Sequence, residues 1–143
     1  MSFSGARDEF KTIILAVTVT PPWRYWQHGE MENIPPGTGG KHLFIIEDGS
    51  QVDVGPVAGQ GAADFMETRL FEVIVNYPLA GNHEELVGEV SNDYNALHKA
   101  LVDRSNWSSS DHIVAVLLKK SCKVERKGKQ WLARMGFETI ING

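Results

Sequence analysis

Residues 35–46, PPGTGGKHLFII, come close to spelling a phosphate-binding loop. Such a loop reads G-x-x-x-x-G-K-[ST]: backbone N–H groups wrap the phosphates, the lysine reaches the outer ones and the hydroxyl holds magnesium. With Gly40 and Lys41 as the G-K pair, the opening glycine falls on Pro35 and the hydroxyl on His42. Proline has no N–H and a fixed φ, so it cannot make the first turn of the cradle. A polar MENIPP precedes the loop where a buried strand belongs, and β-formers follow where a helix belongs. The stretch is expected to be a connector whose lysine meets solvent or a neighbouring subunit.

The other reactive side chains are scattered. His28, His42, His83, His98 and His112 include no i, i+4 pair and no H-E-x-x-H motif. Glu84 and Glu85 beside His83 suit a helix start, where carboxylates complement the helix dipole. Cys122 is the only cysteine, which excludes a disulfide framework and a cysteine metal site. It falls on an apolar strand face and is expected to be a buried small hydrophobe. Asp111-His112 has no serine on a G-x-S-x-G elbow to serve. In WRYWQHG, Trp23, Tyr25 and Gln27 alternate with Arg24, Trp26 and His28. The cluster is either packing on a strand covered on both sides or a small-ligand pocket spanning Trp23 to His28. No catalytic residue, cofactor or metal is assigned, and the chain is not expected to be an enzyme.

The elements that carry these residues follow from periodicity. ARDEFKTIILAVTV places Phe10, Ile13, Ile14 and Val17 at helical spacing, with Ser4 as N-cap and Pro21-Pro22 as the stop. HLFIIEDGSQVDV predicts a strand pair turning at Asp48-Gly49. Residues 47–68 are Gly-rich and polar, too long for a passive turn, and are expected to form an extended arm. RLFEVIVNYPL is the strongest strand: Phe71, Val73, Val75 and Tyr77 share the apolar face, and Leu70, Glu72, Ile74 and Asn76 the mixed one. The main helix opens on Asn82 and Glu85, an Asn capping box, and carries Leu86, Val90, Tyr94, Leu97 and Leu101 as its core stripe. A closing hairpin centred on Lys127-Gly128 pairs Val124 with Trp131, Cys122 with Ala133, Lys120 with Met135, Leu118 with Phe137, Val116 with Thr139 and Val114 with Ile141. The expected fold class is α+β: a mainly antiparallel sheet packed on two helices, with a long C-terminal β-hairpin and a Gly-rich extended arm.

The 143 residues suit a single domain, 1–143, and 42% hydrophobic against 22% charged residues is ordinary for a globular chain. No apolar stretch approaches the ~18 residues needed to span a membrane. The N-terminus lacks a secretory leader pattern, so the expected compartment is a reducing cytoplasm. The net charge of −4 is unevenly spread: residues 1–111 hold seven Lys/Arg against sixteen Asp/Glu, and residues 112–143 hold seven against two. This split suits either a solvated basic hairpin or a surface that meets an acidic partner, including a head-to-tail neighbour. The candidate contact residues are Lys119, Lys123, Arg126, Lys127, Lys129 and Arg134 on the basic side and Asp48, Asp53 and Asp64 on the acidic side. A pI near 5.7 argues against nucleic-acid reading.

The layout resembles the tail terminator and tail-completion proteins of tailed bacteriophages, of the minor tail protein U type. The resemblance rests on ARDEFKTIILAV, PPWRYW, RLFEVIVNY leading into ELVGEVSNDYNALHKAL, Trp107 before a strand, and the final WLARMGFETIING. It spans most of residues 6–142 and is one of order, length and pattern. It implies a hexameric ring that caps the tail tube, joins tail to head and lets genome DNA pass without reading its sequence. The implied partners are copies of itself, the tail tube protein and a head-connector or stopper protein. The implied location is the virion tail or neck, reached from the host cytoplasm during assembly. Another neck or head-completion protein fits the same layout. The Gly-rich loop at 35–41 and the long 47–68 arm have no assigned counterpart in that family.

Overall fold

A computed structural model describes residues 3–19, 21–26, 41–48, 66–78, 83–106, 113–127 and 130–142. Helix α1 runs Phe3–Leu15 and α2 runs His83–Val102, with a short 3-10 turn at Arg104–Asn106. The strands are β1 (Arg24–Tyr25), β2 (Leu43–Asp48), β3 (Met66–Pro78), β4 (Ile113–Lys127) and β5 (Gln130–Asn142). They form one five-stranded sheet in the order β1-β2-β3-β5-β4. β1 is parallel to β2 and every other pair is antiparallel. The α+β expectation therefore holds, with a mixed sheet.

The core lies between the sheet and the helices. Phe10, Ile13 and Ile14 of α1 and Leu86, Val90, Tyr94, Leu97 and Leu101 of α2 are buried, as their spacing predicts. They meet Phe71, Val73, Val75 and Tyr77 of β3 and Ala133, Met135, Phe137 and Ile141 of β5 in one cluster. Phe10 stands 4.5 Å from Phe71, and Tyr94 is edge-on to Phe137 at 5.1 Å. The Tyr94 hydroxyl donates to the Gly136 carbonyl at 2.5 Å, pinning α2 to β5. On the opposite sheet face Trp26, Leu43, Ile74 and Leu132 form a smaller buried cluster. The two faces of β3 separate as the alternation predicts.

Several boundaries differ from expectation. α1 ends at Leu15, well before Pro21-Pro22: Ala16 N–H is shared between Thr12 and Ile13 carbonyls, and Val17 N–H donates to Ile14 in a tightened turn. The β-branched residues Val17, Thr18 and Val19 follow that turn, where their lower helix propensity disfavours continuation before the prolines are reached. Ser4 lies inside α1 and is not its N-cap. β2 pairs along its whole length with β3, and the partner strand predicted after Gly49 lies outside the described residues. The ends of the 47–68 arm are strand, since Glu47 and Asp48 close β2 and Met66–Thr68 open β3; the stretch between lies outside the described residues.

The hairpin is real but its register is shifted. Lys127 pairs with Gln130, Val124 with Ala133, Cys122 with Met135 and Lys119 with Phe137, while Val116 meets Thr139 as expected. The connection sits one residue later than predicted, and three irregularities on β4 absorb the extra residues. Cys122 is exposed, contrary to its expected burial. β4 is the outermost strand, so its apolar-facing positions gain a neighbour on one side only.

Candidate functional site

The 35–46 stretch ends in a buried polar centre instead of a phosphate cradle. His42 has φ of 70°, a left-handed conformation that L residues rarely adopt. That turn sends the chain into β2 and drives the imidazole inward, where it is fully buried. Its Nδ1 lies 2.6 Å from the Pro21 carbonyl oxygen and its Nε2 lies 2.9 Å from Asp93 Oδ2. A carbonyl only accepts, so Nδ1–H donates. Nε2 and Asp93 Oδ2 share the second hydrogen bond. The Tyr77 hydroxyl donates to the same Asp93 oxygen at 2.7 Å.

The site draws on four parts of the chain. The His42 carbonyl accepts from Arg24 N–H at 3.0 Å, so its backbone holds the start of β1 as its side chain holds Pro21. Trp23 stacks on the imidazole, with centroids 4.2 Å apart. Tyr77 comes from β3 and Asp93 from α2. Beside them Lys41 makes an ion pair with Glu89 of α2. Burial alone would raise the Asp93 pKa, but hydrogen bonds from His42 and Tyr77 outweigh it and hold the carboxyl below its ordinary value. Burial, then the Asp93 charge, push the Tyr77 hydroxyl far up, so it stays a donor. Asp93 thus ties α2 to the start of β2 and the end of β3 at one carboxylate. With both ring nitrogens engaged and the ring closed to solvent, this arrangement suits a fastener.

The aromatic cluster does not converge on one pocket. Trp23 packs with the helix-side core and Trp26 with the opposite cluster. Tyr25 is half-buried beneath Lys11, whose Nζ lies 4.4 Å from the ring centroid. Gln27 and His28 lie outside the described residues. Among the described residues no group of three His, Cys, Asp or Glu side chains could hold a metal ion. No described helix is long and apolar enough to cross a membrane.

The charged candidates divide into those used by the fold and those on its rim. Asp48 makes an ion pair with Arg69 of β3. Arg134 donates from Nε to Glu125 at 2.9 Å and approaches Glu47 at 3.6 Å, tying β5 to β4 and β2; the Glu125 carboxylate raises its pKa further. Lys123 and Arg126 are exposed on β4. Lys119 sits on β4 opposite Phe137, and Lys127 ends that strand. Asp53, Asp64 and Lys129 lie outside the described residues. The acidic start of α2 adjoins the basic hairpin within the same chain: the His83 ring is 5.4 Å from Trp131, which pairs with Arg126.

No family model matches the chain, and no curated protein is similar to it.

The His42–Asp93–Tyr77 centre escaped the sequence reading, yet one signal pointed to it. Asp93 interrupts the apolar stripe of α2 between Val90 and Leu97, and a carboxylate on a core face requires a partner.

Proposed function

We propose that the chain is a structural virion protein: a ring-forming tail terminator that caps the tail tube and joins tail to head. The observation that carries the reading is the order of elements, a helix, three strands, a long helix and a long closing hairpin in one mixed sheet. That order is what the sequence resemblance rests on. The buried His42–Asp93–Tyr77 fastener supports it, because it spends the most reactive-looking side chains on holding β2, β3 and α2 together. In this reading the partners are further copies in a ring, the tail tube protein and a head-connector protein. Genome DNA passes through without sequence-specific contact. The site of action is the tail or neck of the particle, after assembly in the host cytoplasm.

Electron microscopy of tails assembled with and without the protein tests this. Capped tubes of uniform length with the protein, and overlong or uncapped tubes without it, are the expected result. A protein that never associates with tails at any concentration overturns the proposal.

A further inference from the structure

The outward face of α2 has an unusual charge pattern. Glu84 and Glu85 are exposed at its start and Lys99 is exposed near its end. The exposed residues between them are uncharged and mostly small, among them Gly88, Ser91, Asn92 and Asn95. A solvated helix face carries charged or polar side chains, and here the exposed charges are confined to the two ends. Gly88 is the sharpest anomaly. It sits inside the helix, where glycine costs about 1 kcal/mol relative to alanine. A Cβ there would meet nothing within 4 Å, so the fold itself has no use for the missing side chain.

The pattern is its own complement when reversed. Turned end for end about a point between Ser91 and Asn92, Glu84 falls opposite Lys99, Gly88 opposite Asn95, and Ser91 opposite Asn92. We propose that this face is a two-fold docking surface for a second copy of the chain, with α2 packed antiparallel on α2. Lys99 of each copy meets the Glu84 and Glu85 carboxylates of the other, and the helix dipoles oppose. Gly88 lets the two axes approach closely, and the Ser and Asn side chains hydrogen-bond across the centre. Val87, 45% exposed, lies along the flank and adds apolar area. The contact is isologous, so it closes as a dimer and does not propagate. From Glu84 to Lys99 the helix rises about 22 Å, which makes a small, concentration-dependent interface. This inference does not rest on the ring proposal.

Sedimentation equilibrium over a concentration series tests it, with circular dichroism confirming the fold of each variant. The wild type is expected to dimerise. Lys99→Glu and Glu84→Lys each convert two symmetric attractions into repulsions and raise the dimer dissociation constant at least about tenfold. The double variant Glu84→Lys/Lys99→Glu is expected to restore dimerisation. Gly88→Leu, which has room in the monomer, is expected to keep the fold and lose the dimer. A wild type monomeric at several hundred micromolar overturns the proposal. So does a dimer indifferent to Lys99→Glu and Gly88→Leu, or a double variant that fails to recover. A larger ring that survives every one of these substitutions also overturns this contact while leaving the ring reading intact.

Discussion

Replacing Asp93 with alanine tests whether the buried polar centre fastens the fold. The substitution leaves the His42 Nε2 and the Tyr77 hydroxyl facing a void, since both bonds end on Asp93 Oδ2. His42 is fully buried and Tyr77 nearly so, so water does not readily replace the lost acceptor. Two hydrogen bonds to a charged acceptor are lost, at about 1.5–3 kcal/mol each and so about 3–6 kcal/mol together. For a chain of this length each kcal/mol lowers Tm by about 2–4 °C, giving a fall of about 6–24 °C. Urea unfolding followed by tryptophan fluorescence measures it. The pH dependence supplies a second readout. Asp93 is held below its ordinary value of 3.8, so its contribution is fully present above that value. It is lost as pH falls through the lower folded value. The gap between wild type and Asp93→Asn is therefore expected to be constant above about pH 5 and to narrow toward pH 2. Combining Asp93→Ala with His42→Ala should cost less than the two separate losses together by about 1–3 kcal/mol, because each single change already breaks the shared bond. A loss below about 1 kcal/mol for Asp93→Ala, or an additive cycle, refutes the fastening argument.

Other expectations are more local. Tyr94→Phe removes the hydroxyl bond to the Gly136 carbonyl and is expected to cost about 1–2 kcal/mol in calorimetric stability, with α2 otherwise in place. Cys122 is exposed, so a thiol reagent should titrate it in the native protein without denaturant, and Cys122→Ser should leave stability within about 0.5 kcal/mol. Nucleotide binding should be undetectable with or without magnesium, and Lys41→Ala should cost only about 0–1 kcal/mol through loss of its part-exposed pair with Glu89.

The elements legible in the sequence are those whose burial follows one period. The α2 stripe and the two faces of β3 emerge from spacing alone, because each residue there is sorted by a single choice between core and solvent. The apolar face of β5, from Ala133 to Ile141, is legible for the same reason. The register of β4 is not. A hairpin alignment assumes one residue against one, and the three irregularities between Ile113 and Cys122 break that count without altering composition. The polar centre was hidden differently. His42, Asp93 and Tyr77 lie 35 and 51 residues apart from the nearest to the farthest pairing with His42, and only the β2–β3 register and the placement of α2 bring them together. His42 also needs a left-handed backbone, which no pattern of residue types announces for a histidine.

The position of β4 changes what the basic hairpin explains. A long outer strand exposes a row of backbone donors and acceptors that invites edge-to-edge pairing. Known defences are very short edges, lysines and bulges, and both edges of this sheet use them. β1 has two residues. β4 has fifteen, with three register irregularities, and carries Lys119, Lys120, Lys123, Arg126 and Lys127. The positive charge of this segment is expected to disfavour pairing of that edge with another strand. Lysines and register irregularities disfavour contacts between copies along β4, whereas the charge-reversed, glycine-bearing face of α2 carries no such row of lysines.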